Sequence, residues 1–230
     1  IAENEDLKEE VSEVQRKLEA KEEPWYGLWK ETREWSISSF KQIFELLNIK
    51  PDIYYYESQV EGPGKKLVQK LLTDGIAKKS EGAIVVDLEA EDLGVFLLLK
   101  SDGSSLYSTK DLALAYKKMQ DYSPDRQIFI VDNRQSLYFK QLFSTLRKIG
   151  FDGELVHLSY DMVTLKDGAM SSRKGNVVTF DHLYSKMTES FSKETRSRHE
   201  DWKDAKVVET AQALALASMQ FMMLRQDADS

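Results

Sequence analysis

RQIFIVDNRQSLYFKQLFSTLRKIGFDGELVHLSY, residues 126–160, decides the fold class. Ile128–Val131 is aliphatic or aromatic throughout, as in a strand covered on both faces. Leu137–Ile149 spaces its apolar residues as an amphipathic helix does, and Glu154–Leu158 is again strand-like and almost wholly apolar. Parallel strands need a crossover between them, and a helix joined by short links supplies one. The stretch therefore predicts a parallel sheet with right-handed strand–helix–strand units.

Upstream, Ala83–Leu88 and Val95–Leu99 have strand length and Thr109–Gln120 reads as a helix. The alternation is expected to extend the same parallel sheet. Further back, Lys65–Lys78 reads as a helix, Gly62-Pro63-Gly64 as a turn and Ile53–Tyr56 as a short strand-like run. Trp25–Leu47 is a helix with apolar positions at Trp29, Trp35, Ile37, Phe40, Ile43, Phe44 and Leu47. Residues 2–22 form an exposed helix with Leu7, Val11, Val14 and Leu18 on one stripe, ended by Pro24. From Asp181 onward the chain is helical, and Val207–Met223, rich in Ala, Leu and Met, must pack against something.

Composition narrows the function classes. The 230 residues are 41% hydrophobic, enough for a substantial core, and mean hydropathy is −0.48. No apolar run approaches the roughly 20 residues of a membrane span, so no membrane partner is expected. Ile1–Glu10 is acidic, lacks the pattern of a secretory signal and has no initiator Met, so the chain is expected to begin inside a longer protein. Cysteine is absent, which excludes disulfides and thiolate metal sites and fits a reducing cytoplasm. The three histidines do not stand at metal-ligand spacing, so no structural metal is expected. A net charge of −7 argues against a general nucleic-acid surface, yet Arg173 and Lys174 form a local basic loop.

Three motifs can carry chemistry. Gly168–Asn176, GAMSSRKGN, brackets small hydroxyl residues and a basic pair with glycines. Backbone amides and hydroxyls can cradle phosphate there, and Lys and Arg can neutralise charge on a leaving pyrophosphate. The spacing is not that of a Walker A loop, and the same residues also suit a plain surface loop. Asp102–Leu112, DGSSLYSTKDL, leaves a strand and opens a helix, with Tyr107 and Asp111 one turn apart. A carboxylate there can hold a cation; equally, Ser108 or Thr109 can cap the helix with Asp111 as a dipole-favoured charge. Val131–Gln135, VDNRQ, ends another strand and is polar, although Asn and Asp also form ordinary turns.

Taken together and in this order, the motifs resemble arginyl-tRNA synthetase, a class I aminoacyl-tRNA synthetase family. The family pattern runs close to "sDGtstYaTrDlA", "vvd.rQ..Hf.Qlf", "Hv.fGmv" and "kMStRkGn"; this chain reads SDGSSLYSTKDLA, IVDNRQSLYFKQLF, LVHLSYDMVTL and GAMSSRKGNVV. Trp35-Ser36-Ile37, Tyr56-Glu57-Ser58, Gly82–Leu88 and Ala211–Gln226 add to the match, which covers nearly the whole chain. The resemblance implies an α/β fold: an insertion of helical and α+β character over 1–100, the second half of a Rossmann-type catalytic domain over 101–192, and the start of a helical anticodon-binding domain over 193–230. It implies that Tyr107 and Asp111 receive the guanidinium of arginine and Gln135 its α-amino end. Met170, Ser171, Ser172, Arg173 and Lys174 would form the mobile ATP loop, with Ser171 and Lys174 catalytic, and His157, Met162 and Val163 would approach the adenine. The implied partners are arginine, ATP with Mg2+, and tRNA(Arg), in the cytoplasm.

The chain also departs from the pattern. Ala169 stands where many class I loops have Lys, Tyr138 where the segment commonly has His, Lys110 for Arg and Asp161 for Gly. No His-x-Gly-His motif occurs. In the family that motif lies in the first Rossmann half, so this chain alone is expected to be inactive. The alternatives from other classes are a non-catalytic synthetase-derived fragment that binds nucleotide or RNA, and another class I enzyme such as the cysteinyl one. Absence of Cys and the presence of Tyr107-x3-Asp111 weigh against the latter.

Overall fold

Two helices open the chain, α1 (Glu5–Glu19) and α2 (Trp25–Leu46), in a computed structural model that describes residues 5–161, 164–165, 168–169 and 177–225. Pro24 sits just before α2, where its missing N–H leaves no helical bond unmade. No residue of α2 is buried; Trp35 and Phe40, marked by the sequence as packing positions, are 61% and 60% exposed. The chain divides into two compact units, Ile1–Asp52 with Thr188–Gln220, and Ile53–Met187 with Phe221–Ser230.

Ile53–Tyr56 is not a strand. It is an irregular lead, exposed at Ile53 and Tyr54 and half-buried at Tyr55 and Tyr56, into α3 (Glu57–Thr73), whose first turn is closed by the Tyr56 N–H donating to Gln59 Oε1 at 3.0 Å. Gly62-Pro63-Gly64 lies inside this helix rather than in a turn. The reason is tertiary. A Cβ built on Gly64 would stand 2.6 Å from the backbone carbonyl oxygen of Thr109, so α3 passes that residue almost backbone to backbone. Val60, Gly64, Val68 and Leu71 are buried along one side of α3, and this packing overrides the local preference of Gly-Pro-Gly.

The helix stops at Thr73, and Lys78 begins a strand instead of ending the helix. Strands β1 (Lys78–Ser80), β2 (Ala83–Asp87) and β3 (Val95–Leu99) form an antiparallel sheet in the order β1-β2-β3. The expected placement of β2 and β3 in a parallel sheet is thus corrected. The link between them is a single 3-10 turn, Glu89–Glu91, followed by Asp92 and Gly94 at φ +56° and +67°. So short a link can only fold the strand back on its neighbour.

Next come α4 (Tyr107–Tyr122), β4 (Arg126–Asp132), α5 (Ser136–Lys148) and β5 (Glu154–Tyr160). Here the sequence reading holds: β4 and β5 are parallel, in register from Arg126↔Glu154 to Asp132↔Tyr160, with α5 between them. Burial is nevertheless one-sided. Phe129 packs on Phe139 and Phe143 of α5, whereas Ile128 and Ile130 on the other face are 52% and 65% exposed. One core runs through the whole unit: Val68 and Leu71, Ile84, Val86 and Leu88, Phe96 and Leu98, Leu112 and Ala115, and Phe139, Leu142 and Leu146.

Short strands β6 (Thr164–Leu165) and β7 (Gly168–Ala169) pair antiparallel, and α6 (Phe180–Arg198) and α7 (Asp204–Leu224) follow. By length and composition α7 is apolar enough to cross a membrane, which the sequence reading missed. Within the protein it buries a stripe at Val207, Ala211, Ala215 and Met219, four residues apart. Near its end Gln220 donates to the Leu47 carbonyl at 3.0 Å.

The α3–α4 contact is directly testable. Gly64→Ala forces a methyl group into the Thr109 carbonyl and is expected to cost about 1–3 kcal/mol, the usual penalty of overpacking. Gly62→Ala meets nothing within 4 Å and should leave stability unchanged or raise it. Thermal denaturation of the two variants measures the difference; equal midpoints would contradict this packing.

Candidate functional site

Polar residues gather where β3 and β4 hand over to the helices that follow them, the usual place for ligands in α/β folds. After β3 the chain turns through Asp102–Ser104. Asp102 Oδ1 accepts from the Ser104 N–H at 2.8 Å, and Gly103 takes φ +78°. Then α4 is fastened to β3. The Ser108 hydroxyl donates to the Leu97 carbonyl at 2.5 Å, and the Thr109 hydroxyl donates to the Leu98 carbonyl while accepting from the Leu106 N–H at 3.0 Å. Both residues are buried, at 4% and 0% exposure. Thr109 is a capping residue, as its type suggests, but the anchoring to β3 is invisible in sequence.

This anchoring orients the rest of the first turn. Tyr107 is 74% exposed at the helix start. Asp111, one turn on, is half-buried, and the Tyr138 hydroxyl of α5 donates to its Oδ2 at 2.6 Å. Burial pushes the Asp111 carboxyl above its ordinary range, and the Tyr138 bond acts against that rise. Burial also lowers the Lys118 amine, whose ammonium lies over the Phe129 ring at 5.5 Å. Lys110 pairs with Glu57 at 2.6 Å, and Ser105 donates to Glu61 at 2.9 Å, so α3 frames the same helix start. Tyr138 is the member that the sequence reading passed over as a site residue. Its departure from the family's common His was the signal that could have found it.

Gln135 is exposed at the beginning of α5, three positions before Tyr138. Beside it Asp132 accepts from the Arg134 backbone N–H at 3.0 Å and from Arg134 Nε at 2.9 Å. Arg134 above all, and Gln135 with it, holds the Asp132 carboxyl below the usual range. Asn133 donates to Asp161, tying together the two strand ends. Tyr107, Asp111, Tyr138 and Gln135 are thus carried by two adjoining helix starts. His157 lies elsewhere, mid-strand on β5: its ring stacks on Phe139 at 4.6 Å and its Nε2 is 3.1 Å from the Val131 carbonyl. Met162, Val163, Met170, Ser171, Ser172, Arg173 and Lys174 lie outside the described residues. Among the described residues no group of three or more His, Asp or Glu could hold a metal.

What this arrangement offers chemically is a half-buried carboxylate with one oxygen taken by a phenol. The other oxygen is left to accept from a cationic donor such as an ammonium or a guanidinium.

Comparison with known proteins gives a consistent answer. Residues 1–226 match the family described as tRNA synthetases class I (R), catalytic domain. The arginine–tRNA ligase of Bdellovibrio bacteriovorus is 40% identical over 223 residues, 96% of this chain and 38% of that protein. That of Treponema denticola is 36% identical over 204 residues, 86% of this chain and 34% of that one. The chain therefore spans under two-fifths of the length of these relatives. Among solved structures, the arginyl-tRNA synthetase of Plasmodium falciparum shares the fold with a TM-score of 0.78 at 21% identity, over 95% of this chain and 37% of its own. On the family match and the identity to these relatives, the chain belongs to the catalytic-domain family of the class I, arginine-type tRNA synthetases.

Proposed function

We propose that this chain is part of an arginine–tRNA ligase, acting in the cytoplasm, that activates arginine with ATP and transfers it to tRNA(Arg). The observation that carries the reading is Asp111, a half-buried carboxylate at an anchored helix start with one oxygen occupied and no ion partner among the described residues. In the first step a carboxylate oxygen of arginine attacks the α-phosphorus of ATP. The bond to the bridging oxygen breaks, and pyrophosphate leaves with its electron pair. In the second, a terminal ribose hydroxyl of the tRNA attacks the arginyl carbonyl, and AMP leaves with the electron pair of the broken acyl–oxygen bond. The protein contributes chiefly position and charge stabilisation.

In this reading Asp111 and Tyr107 receive the guanidinium and Gln135 the α-amino end. The Met170–Lys174 loop meets the phosphates, with Ser171 and Lys174 acting as charge builds on the pyrophosphate and Ser172 and Arg173 beside them. Met162 and Val163 border the adenine through backbone groups, and His157 belongs to the strand that leads to them. Mg2+ enters with ATP, held by phosphate oxygens, as this small hard cation prefers. Residues 1–100 act as the insertion, 101–192 as the second Rossmann half and 193–230 as the start of the anticodon-binding domain. The remaining half of the site comes from a part of the ligase outside this chain, so the chain alone does not activate arginine.

Two variants of the whole ligase test the assignment. Asp111→Asn should raise the KM for arginine about ten- to a hundredfold, the worth of one hydrogen bond to a charged group, and leave that for ATP nearly unchanged. An unaltered arginine KM in ATP–pyrophosphate exchange would refute the pocket. Lys174→Ala should lower kcat with little effect on the arginine KM, because its charge is needed mainly in the transition state. Normal turnover in that variant would remove the loop from the chemistry.

A further inference from the structure

We propose that Tyr138 is a positioning residue for arginine: its hydroxyl occupies one oxygen of Asp111 and thereby fixes the carboxylate with the other oxygen turned to the substrate guanidinium. The inference rests on the reading of Asp111 as the guanidinium partner and deepens it.

The geometry supplies the argument. An aspartate near the start of a helix has a broad choice of carboxylate rotation. Tyr138 removes that choice with a hydrogen bond of 2.6 Å to Oδ2. The donor is itself immobile, because its ring stands edge-on to Phe96 at 5.6 Å and to Phe139 at 5.3 Å, both of them buried core residues. The second oxygen, Oδ1, accepts nothing from the described residues, and no ion pair to Asp111 forms among them. Lys118 and Lys110 favour the ionised Asp111 through their charge, but neither makes an ion-pair contact with it: Lys118 lies over the Phe129 ring, and Lys110 is paired with Glu57, whose negative charge works the other way. Asp111 is therefore a carboxylate oriented by a neutral donor, with no contact ion pair among the described residues, and its Oδ1 is open to an incoming guanidinium.

A tyrosine also differs in kind from the histidine common at this place in the family. Its hydroxyl stays protonated at every working pH, since burial and the charge of Asp111 both push its ionisation upward. It can hold Asp111 without ever placing a positive charge beside the substrate cation. A histidine would do so once protonated, a state that a neighbouring carboxylate favours.

The experiment uses ATP–pyrophosphate exchange by the whole ligase carrying Tyr138→Phe, Tyr138→His or Asp111→Asn, as a function of arginine, ATP and pH. Tyr138→Phe keeps the ring packing and deletes only the donor. Its expected result is an arginine KM raised about tenfold or more, with the ATP KM and saturated turnover within about twofold. The acid limb of kcat/KM for arginine should also move to higher pH, because Asp111 loses the bond that stabilises its ionised form. Tyr138→His, with a neutral N–H donor, should recover much of the arginine affinity at alkaline pH and lose it again as the imidazole protonates on acidification. Should Tyr138→Phe fail to fold, the pH dependence of Tyr138→His carries the test. The proposal is overturned if Tyr138→Phe leaves the arginine KM and acid limb unchanged while Asp111→Asn raises the KM. If neither variant moves it, the arginine pocket itself is wrong and this inference falls with it.

Discussion

Thr109 is the point on which the catalytic-domain unit turns. Its hydroxyl donates to the Leu98 carbonyl of β3 and accepts from the Leu106 N–H, so one oxygen ties the antiparallel sheet to the first turn of α4. Its backbone carbonyl and methyl group lie where a side chain on Gly64 would be, so the same residue sets how closely α3 approaches. A fully buried hydroxyl that both donates and accepts is costly to misplace, because either bond left unmade strands a buried polar group. Sheet, α3 and α4 are thereby held at one point, and the direction in which Tyr107 and Asp111 leave α4 follows from it.

Electrostatics then builds on that frame. Half-burial raises the Asp111 carboxyl, and Tyr138 opposes the rise without supplying a counter-charge. Lys118 and Lys110 temper that rise through their charge without touching the carboxylate, one lying over the Phe129 ring and the other paired with Glu57. The neighbouring strand end is arranged the other way. Asp132 is satisfied at once by Arg134, two residues along, and shapes the loop rather than waiting for a ligand. The two aspartates therefore differ in surroundings: Asp132 has a contact ion pair with Arg134, whereas Asp111 is held by the Tyr138 hydroxyl.

Apolar character and burial also part company. β4 runs Ile128-Phe129-Ile130-Val131 without a polar residue, yet only the side bearing Phe129 is covered, by α5, while Ile128 and Ile130 face outward. α2 carries tryptophans and phenylalanine at helical spacing and buries none of its residues. In both cases composition records a tendency to be covered; whether a partner lies there is a property of the assembled structure.

Strand–helix–strand order from 126 to 160 was legible in the sequence because period and composition are local properties. Parallel pairing followed, since a helix-length crossover leaves no other economical arrangement. That Tyr107 and Asp111 share a face was legible for a similar reason, since they lie four apart on one helix; a ligand role for them rests on the resemblance and not on the spacing. The antiparallel course of β2 and β3 turned on the short link of residues 88–94, the helical state of Gly62-Pro63-Gly64 on the closeness of Thr109, and the partner of Asp111 on a tyrosine 27 residues away. These were tertiary decisions. Each depends on atoms far apart in the chain, whose approach no local propensity or spacing encodes.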